Sequence, residues 1–316
     1  MKEIGGYIEL DRYWGVEYYP DGIALNCARN ALAYLIKARN IKKIYLPFFL
    51  CSSLYDVCQR FSVEVEHYHI NAELRPILNK KIDDNAWFVL VNYYGQINAD
   101  DIDEYKKKFC NIILDNTQAF FQKPMVGVDT IYSCRKFFGV TDGAYLFTET
   151  KLNDELETDV SYSRMTFLLG RFEKTANEFY EDFVLNNELF KTEPIKKMSR
   201  LTHNLLRALN YKNIAEIRQT NFAYLNRKLA LVNKLRLTVP YGAFMYPLYV
   251  DNGATIRQVL QKEKIYIPTL WPDVLKICNK NDLEYDMAIN ILPLPVDQRY
   301  GIKEMQYLVD KILSLI

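Results

Sequence analysis

The sequence predicts an α/β fold built on a mainly parallel sheet, with a smaller α/β unit at its C-terminal end. Three observations predict it. Strand-like runs such as "IYLPF", "WFVLV" and "NIILD" alternate with stretches of helical periodicity, the order expected of strand–helix–strand crossovers. Those runs are largely apolar rather than alternating, as in strands covered on both faces. A chain of 316 residues, 49% hydrophobic, can also bury a large core without covalent staples.

In chain order, "NALAYLIKARN" carries its apolar residues at helical spacing, and "KKIYLPF" follows as a strand closed by proline. "SSLYDVCQRF" reads as a helix, "VEVEHYHI" as a strand, "NAWFVLVNYYG" as a buried strand ending in glycine, and "DDIDEYKKKF" as a helix. The strands "CNIILDN" and "DTIYSCR" come next, closed by "AYLFTE". From about residue 151 to 235 the text is helical and charged, in "KTANEFYEDFVLNNELF", "MSRLTHNLLRALN" and "NIAEIRQTNFAYLNRKLALVNKL". A long helix ending near Leu235 marks a boundary, giving a large domain over 1–235 and a small one over 236–316. In the latter "FMYPLYV", "KIYIPTL" and "MAINILPLPV" read as strands, "GATIRQVLQKEK" and "IKEMQYLVDKILSLI" as helices. No internal repeat or low-complexity stretch interrupts the pattern.

Forty basic against thirty-nine acidic side chains leave a formal charge of +1 and no basic stripe, so nucleic acid is not an implied partner. The opening "MKEIGGYIELDRYWG" lacks the apolar core of a signal peptide, and "AWFVLVNYY" is too short to cross a bilayer. The expectation is a soluble, cytoplasmic protein with no membrane partner. Six cysteines without a Cys-x-x-Cys pair read as free thiols. No metal site is expected: His67 and His69 share a strand face but have no nearby cysteine, and read as a solvated surface.

Ligands of open α/β sheets bind beyond the carboxyl ends of the strands, and four stretches fall there. "NCARNAL" enters a helix, whose first amides and Arg29 could hold a phosphate or could be an ordinary helix start. "ILDNTQAFF" ends a strand at Asp115, either a functional carboxylate or a helix cap, with Gln118 three residues on. "YSCRK" sets Ser133, Arg135 and Lys136 at the mouth of the next strand. "VNYYGQ" could wall a flat ring or simply fill the sheet edge.

Together these stretches resemble the pyridoxal phosphate enzymes of fold type I, more narrowly the sugar aminotransferases of the DegT/StrS group. The motifs "NCARNALAYL", "IYLPFFLCSSLYDV", "NYYGQINADDID", "ILDNTQAFF", "YSCRKFFGVTDGAYL" and "RQTNFAYLNRKL" stand in the family's order across most of the chain. The resemblance implies a mainly parallel seven-stranded sheet, a smaller C-terminal domain, pyridoxal 5'-phosphate as cofactor and a homodimer. It also implies transfer of an amino group from glutamate to a nucleotide-linked keto sugar, as in polysaccharide biosynthesis. Lys136 would hold the cofactor covalently and move the proton, Asp115 would pair with the pyridinium nitrogen, and Gln118 would contact the phenolic oxygen. Ser133, Arg29 and Asn30 would hold the phosphate. The alternatives are another pyridoxal phosphate reaction, such as a dehydration, and a binding or regulatory protein that has lost turnover. A histidine in place of the lysine would point to dehydration, so Lys136 argues for transfer.

The chain departs from the group's pattern in four ways. Cys27, Ala28 and Arg29 replace the usual Ser-Gly-Thr triplet, and Cys51 stands where a ring usually covers the cofactor, leaving Phe48, Phe49 or Tyr93 to stack. "EPIKKMS" offers Ile195, Lys196 and Lys197 instead of an asparagine reaching the partner's phosphate. The interval from Asp115 to Lys136 is also shorter than usual.

Overall fold

A computed structural model describes residues 4–78 and 81–316. Its N-terminal part is a sheet of the strands β1 (Ile23–Leu25), β2 (Lys43–Pro47), β3 (Glu64–Ile70), β4 (Pro76–Ile77), β5 (Trp87–Val91), β6 (Ile112–Asp115), β7 (Asp129–Ser133) and β8 (Ala144–Phe147), in the spatial order 1-8-7-6-5-2-3-4. Neighbours from β7 through β6, β5 and β2 to β3 run parallel, whereas β8 is antiparallel to both its neighbours and β4 is antiparallel to β3. The sheet thus has eight strands where seven were expected. The surplus is accounted for by the two-residue edge strand β4, where Pro76 tolerates the missing partner on its outer side.

The helices α1 (Ala28–Ala38), α2 (Ser52–Arg60) and α3 (Ala99–Lys108) fill the crossovers. Each forms where the sequence places its signals. Apolar residues 31–36 of α1 are all buried, and α3 opens on a capping box in which Asn98 and Asp101 exchange hydrogen bonds of 2.9 and 3.0 Å. Phe88, Val89 and Leu90 of β5 and Ile113 and Leu114 of β6 are sealed from solvent, the burial on both faces that a central parallel strand requires.

Helices α4 (Thr166–Glu173), α5 (Tyr180–Leu189), α6 (Arg200–Arg207) and α7 (Tyr211–Leu229) follow. The long helix ends at Leu229 rather than near Leu235, in a turn where Asn233 Oδ1 accepts from the Leu235 and Tyr249 amides. The C-terminal unit contains β9 (Met245–Tyr249), α8 (Gly253–Lys262), α9 (Val274–Ile277), α10 (Leu283–Asn290), β10 (Ile291–Pro295) and α11 (Ile302–Leu313), with β9 and β10 antiparallel. "KIYIPTL" forms no strand. Lys264 turns the chain at φ 62°, Pro268 lacks a donor, and buried Ile267 anchors the irregular segment leading to Trp271. The "MAIN" of "MAINILPLPV" closes α10, because Glu284, Met287 and Ala288 lie on one helical face and are buried together. A second core, formed by Phe222, Leu225 and Leu229 of α7 with Tyr246, Leu248, Leu292 and Leu308, holds this unit.

Candidate active site

Strands β5, β6 and β7 end side by side, with Val91 opposite Asp115 and Asp115 opposite Ile131, so Ser133 lies two residues beyond Asp115's neighbour. The buried Asp115 carboxylate accepts the Thr117 N–H at 2.9 Å, turning the chain sharply out of the sheet. The Thr117 hydroxyl in turn accepts from Lys136 Nζ at 2.9 Å. The carboxylate and the amine singled out from sequence are therefore brought together through Thr117, which sequence reasoning did not single out. Burial drives the Tyr68 and Tyr93 phenols well above their usual range, and the Asp115 charge adds to the effect.

Gln118 is buried beside this turn, and its Oε1 accepts the Tyr94 N–H at 2.9 Å. Because a backbone N–H can only donate, the amide's orientation is fixed and its Nε2 donor is left for another partner. Tyr94 itself sits at φ 53°, a left-handed conformation costly for a bulky residue. Ser133 is buried at the end of β7, and among the described residues no hydrogen bond engages its hydroxyl.

The two residues expected at the start of α1 have different surroundings. Asn30 is fully buried: its Nδ2 faces Asn26 Oδ1 at 3.0 Å and the carbonyls of Glu193 and Pro194 at 3.2 and 2.7 Å, while its Oδ1 accepts from Arg60 at 3.1 Å. Its side chain is spent on fastening residues 193–198 to α1. Backbone bonds from Asn26 N–H to Lys196 O (3.0 Å) and from Met198 N–H to Ala24 O (3.1 Å) complete that seam. Lys196 faces Glu193 of its own chain at 2.6 Å. Arg29 is half-buried and donates to the Asn187 carbonyl at 3.0 Å, so it does not engage the surface carboxylate that a plain helix face would have offered.

The rings also differ from a solvated surface or a free stacking wall. Phe48 packs on His67 and His69, centroids 4.8 and 4.6 Å away, and His69 Nδ1 meets the buried Glu284 carboxylate at 3.1 Å. Phe49 and Tyr93 are buried against Trp271.

The turn carrying Lys136 is held from behind. Arg218 of α7, almost fully buried, donates to the Phe137 carbonyl at 3.0 Å, to Ala243 O at 3.0 Å and to Gln298 Oε1 at 2.8 Å. Gln298 Nε2 reaches the same Phe137 carbonyl at 3.0 Å. Farther along the turn, the Asp142 carboxylate, sealed from solvent, accepts from the Ser199 N–H and Oγ at 2.8 Å each and from Thr202 Oγ1, bracing Ser199, the N-cap of α6. Gly143 then opens β8 at φ 116°, where a Cβ would press Cys134 and Thr202 at 3.1 to 3.3 Å.

No protein-family model and no curated protein matches the chain. Solved structures do. The chain is similar to the sugar aminotransferase CalS13 from Micromonospora echinospora, with 14% identity over 93% of this chain and 87% of that one and a TM-score of 0.60. It is similar to a DegT DnrJ EryC1 StrS aminotransferase from Brucella abortus at 15% identity, 93% and 85% coverage and a TM-score of 0.64. GDP-4-keto-6-deoxy-D-mannose-3-dehydratase from Escherichia coli, solved with bound hydrated PLP, matches at 15% identity, 92% and 87% coverage and a TM-score of 0.61. These likenesses establish the fold, that of the fold type I pyridoxal phosphate enzymes.

Proposed function

We propose that the chain is a pyridoxal phosphate-dependent aminotransferase, working as a homodimer, that moves an amino group from glutamate to a nucleotide-linked keto sugar. The observation that carries the reading is the Asp115–Thr117–Lys136 chain of contacts at the strand ends, a buried carboxylate that accepts the Thr117 N–H and an accessible amine that donates to the Thr117 hydroxyl. The residues present fit a flat ring with a basic nitrogen, a phenolic oxygen and a phosphate. Asp115 would keep the ring nitrogen protonated, Gln118 Nε2 would donate to the phenolic oxygen, and Ser133, Arg29 and the backbone N–H of Asn30 would take the phosphate. When bound, pyridoxal phosphate supplies an electron sink for the charge left on the substrate carbon. Lys136 Nζ, resting on Thr117, is the group that takes and returns the proton at that carbon. The domains proposed for this division of labour are residues 1–235 and 236–316.

Support for a dimer comes from apolar side chains left facing water over residues 160–185. Tyr162, Leu169 and Leu185 are exposed there and Phe172 is 92% exposed, more than a soluble surface ordinarily carries in one segment. Among the described residues, no helix is long and apolar enough to cross a membrane.

Incubating the chain with pyridoxal phosphate and recording its spectrum tests the reading. A visible band from protein-bound cofactor, converted by glutamate to a near-ultraviolet one, is the expected result. A chain that binds no cofactor would overturn it. The phosphate contact has its own measure: Arg29→Ala is expected to weaken cofactor binding by on the order of 2 kcal/mol, roughly thirtyfold. An unchanged dissociation constant would leave Arg29 as a support for residue 187 alone.

A further inference from the structure

Lys136 is an exposed lysine whose hydrogen-bond acceptor is buried. Its Nζ donates to Thr117 Oγ1 at 2.9 Å, and Thr117 is only 7% exposed. The Phe244 ring, supplied by the C-terminal unit, lies 5.7 Å from the same nitrogen. The amine is thus flanked by a hydroxyl and a ring, neither of which carries a charge.

Both ends of the contact have fixed backbones. The Asn116 N–H donates to Ile131 O of β7, the Thr117 N–H to Asp115 Oδ1 and the Ala119 N–H to Asn116 O, each at 2.9 Å. On the lysine side, the Phe137 and Phe138 N–H groups return to Cys134 O at 3.0 and 2.9 Å. A threonine is stiff at χ1, so its oxygen is presented in few directions. What remains free is the four-carbon stem of Lys136, which in an exposed lysine samples many rotamers. The type of acceptor also matters. A carboxylate would favour the charged amine and oppose its deprotonation. A hydroxyl accepts from an amine with three hydrogens or two, and can donate to the lone pair of the second. A hold of this kind survives both the arrival and the departure of a proton.

We infer that Thr117 is a positioning residue whose hydroxyl holds the free Lys136 amine, charged or neutral, in a fixed direction beside the Asp115 turn. The consequence for turnover rests on the proposed function; the hold itself does not. An amine kept in place is ready to exchange its proton with the substrate carbon, whereas a released one must first be recaptured from many rotamers.

Three variants test this. Thr117→Val and Thr117→Ala both remove the hydroxyl and keep the N–H that Asp115 accepts, so the comparison does not depend on one of them folding well. Thr117→Ser keeps the hydroxyl. In the cofactor-free full chain, brief acetic anhydride labelling followed by peptide mapping reads Lys136 against the other lysines of the same digest. Lys136 is expected to label at least about threefold faster in the hydroxyl-free variants than in the natural chain, and at about the natural rate in Thr117→Ser. In the cofactor-loaded chain, kcat with glutamate is expected to fall about tenfold without the hydroxyl while KM stays within about twofold, and Thr117→Ser should recover most of the loss. Unchanged labelling in the hydroxyl-free variants overturns the hold, as does a Thr117→Ser protein that labels as they do. Altered labelling with a natural kcat overturns the positioning role and leaves the proposed function standing. A chain that takes up no pyridoxal phosphate, but whose Lys136 labelling still depends on the hydroxyl at residue 117, retains the hold while the proposed function falls.

Discussion

Lys136→Ala is expected to fold normally and to transaminate on the order of 10⁴-fold more slowly than the natural chain. The side chain is largely exposed, and its protein contacts are one hydrogen bond to Thr117 and the Phe244 ring 5.7 Å away, so its removal leaves the core unchanged. What is lost is chemical. No other lysine was found within hydrogen-bonding reach of Thr117 or Asp115 among the described residues, so the proton has no second carrier. Borohydride treatment of the cofactor-loaded chain followed by peptide mapping checks the same residue directly. The reduced cofactor should be found on the peptide containing Lys136, and labelling of any other lysine would remove Lys136 from the role.

Asp115→Asn is expected to slow turnover by at least about a hundredfold while leaving the melting temperature nearly unchanged. Asparagine keeps an oxygen at the position that accepts the Thr117 N–H, so the turn survives. It cannot supply the negative charge that keeps a ring nitrogen protonated. A charge-assisted hydrogen bond of this kind contributes about 1.5 to 3 kcal/mol to binding, and the contribution grows as charge develops on the ring in the transition state. Steady-state kinetics with glutamate as donor decide the matter: near-normal turnover in Asp115→Asn would show that the carboxylate is only a turn cap.

The central strands could be read from the sequence because their physics is local. "WFVLV" and the "IIL" of "NIILD" are apolar on consecutive positions, the pattern of strands covered on both faces. Asp115 and Lys136 were visible for a related reason: a charge at the end of such a run has to be explained by something outside the strand. Thr117 was not visible, since a threonine in a turn is unremarkable until the amine of Lys136, nineteen positions later, is found against it. The failure at "KIYIPTL" has the opposite origin. Its β-branched and aromatic residues satisfy strand propensity, but long-range packing around Ile267 and Trp271 decides the conformation. Asn30 was assigned from its position at a helix start, and its side chain turned out to serve carbonyls more than 160 residues away, which no local pattern encodes.

The guanidinium of Arg218 is divided between the Phe137 carbonyl, next to Lys136, and acceptors at Ala243 and Gln298 in the C-terminal unit. If that unit opened by itself, the cation would be left in the interior stripped of most of its acceptors, which is among the costlier events available to a folded chain. Partial opening on the native side of the unfolding barrier is therefore discouraged where the two units meet, and the C-terminal unit and the turn at residues 136–137 are bound into one cooperative block. The backbone that carries Lys136 is thereby tied to the C-terminal unit, a tether that a lysine on a free loop lacks.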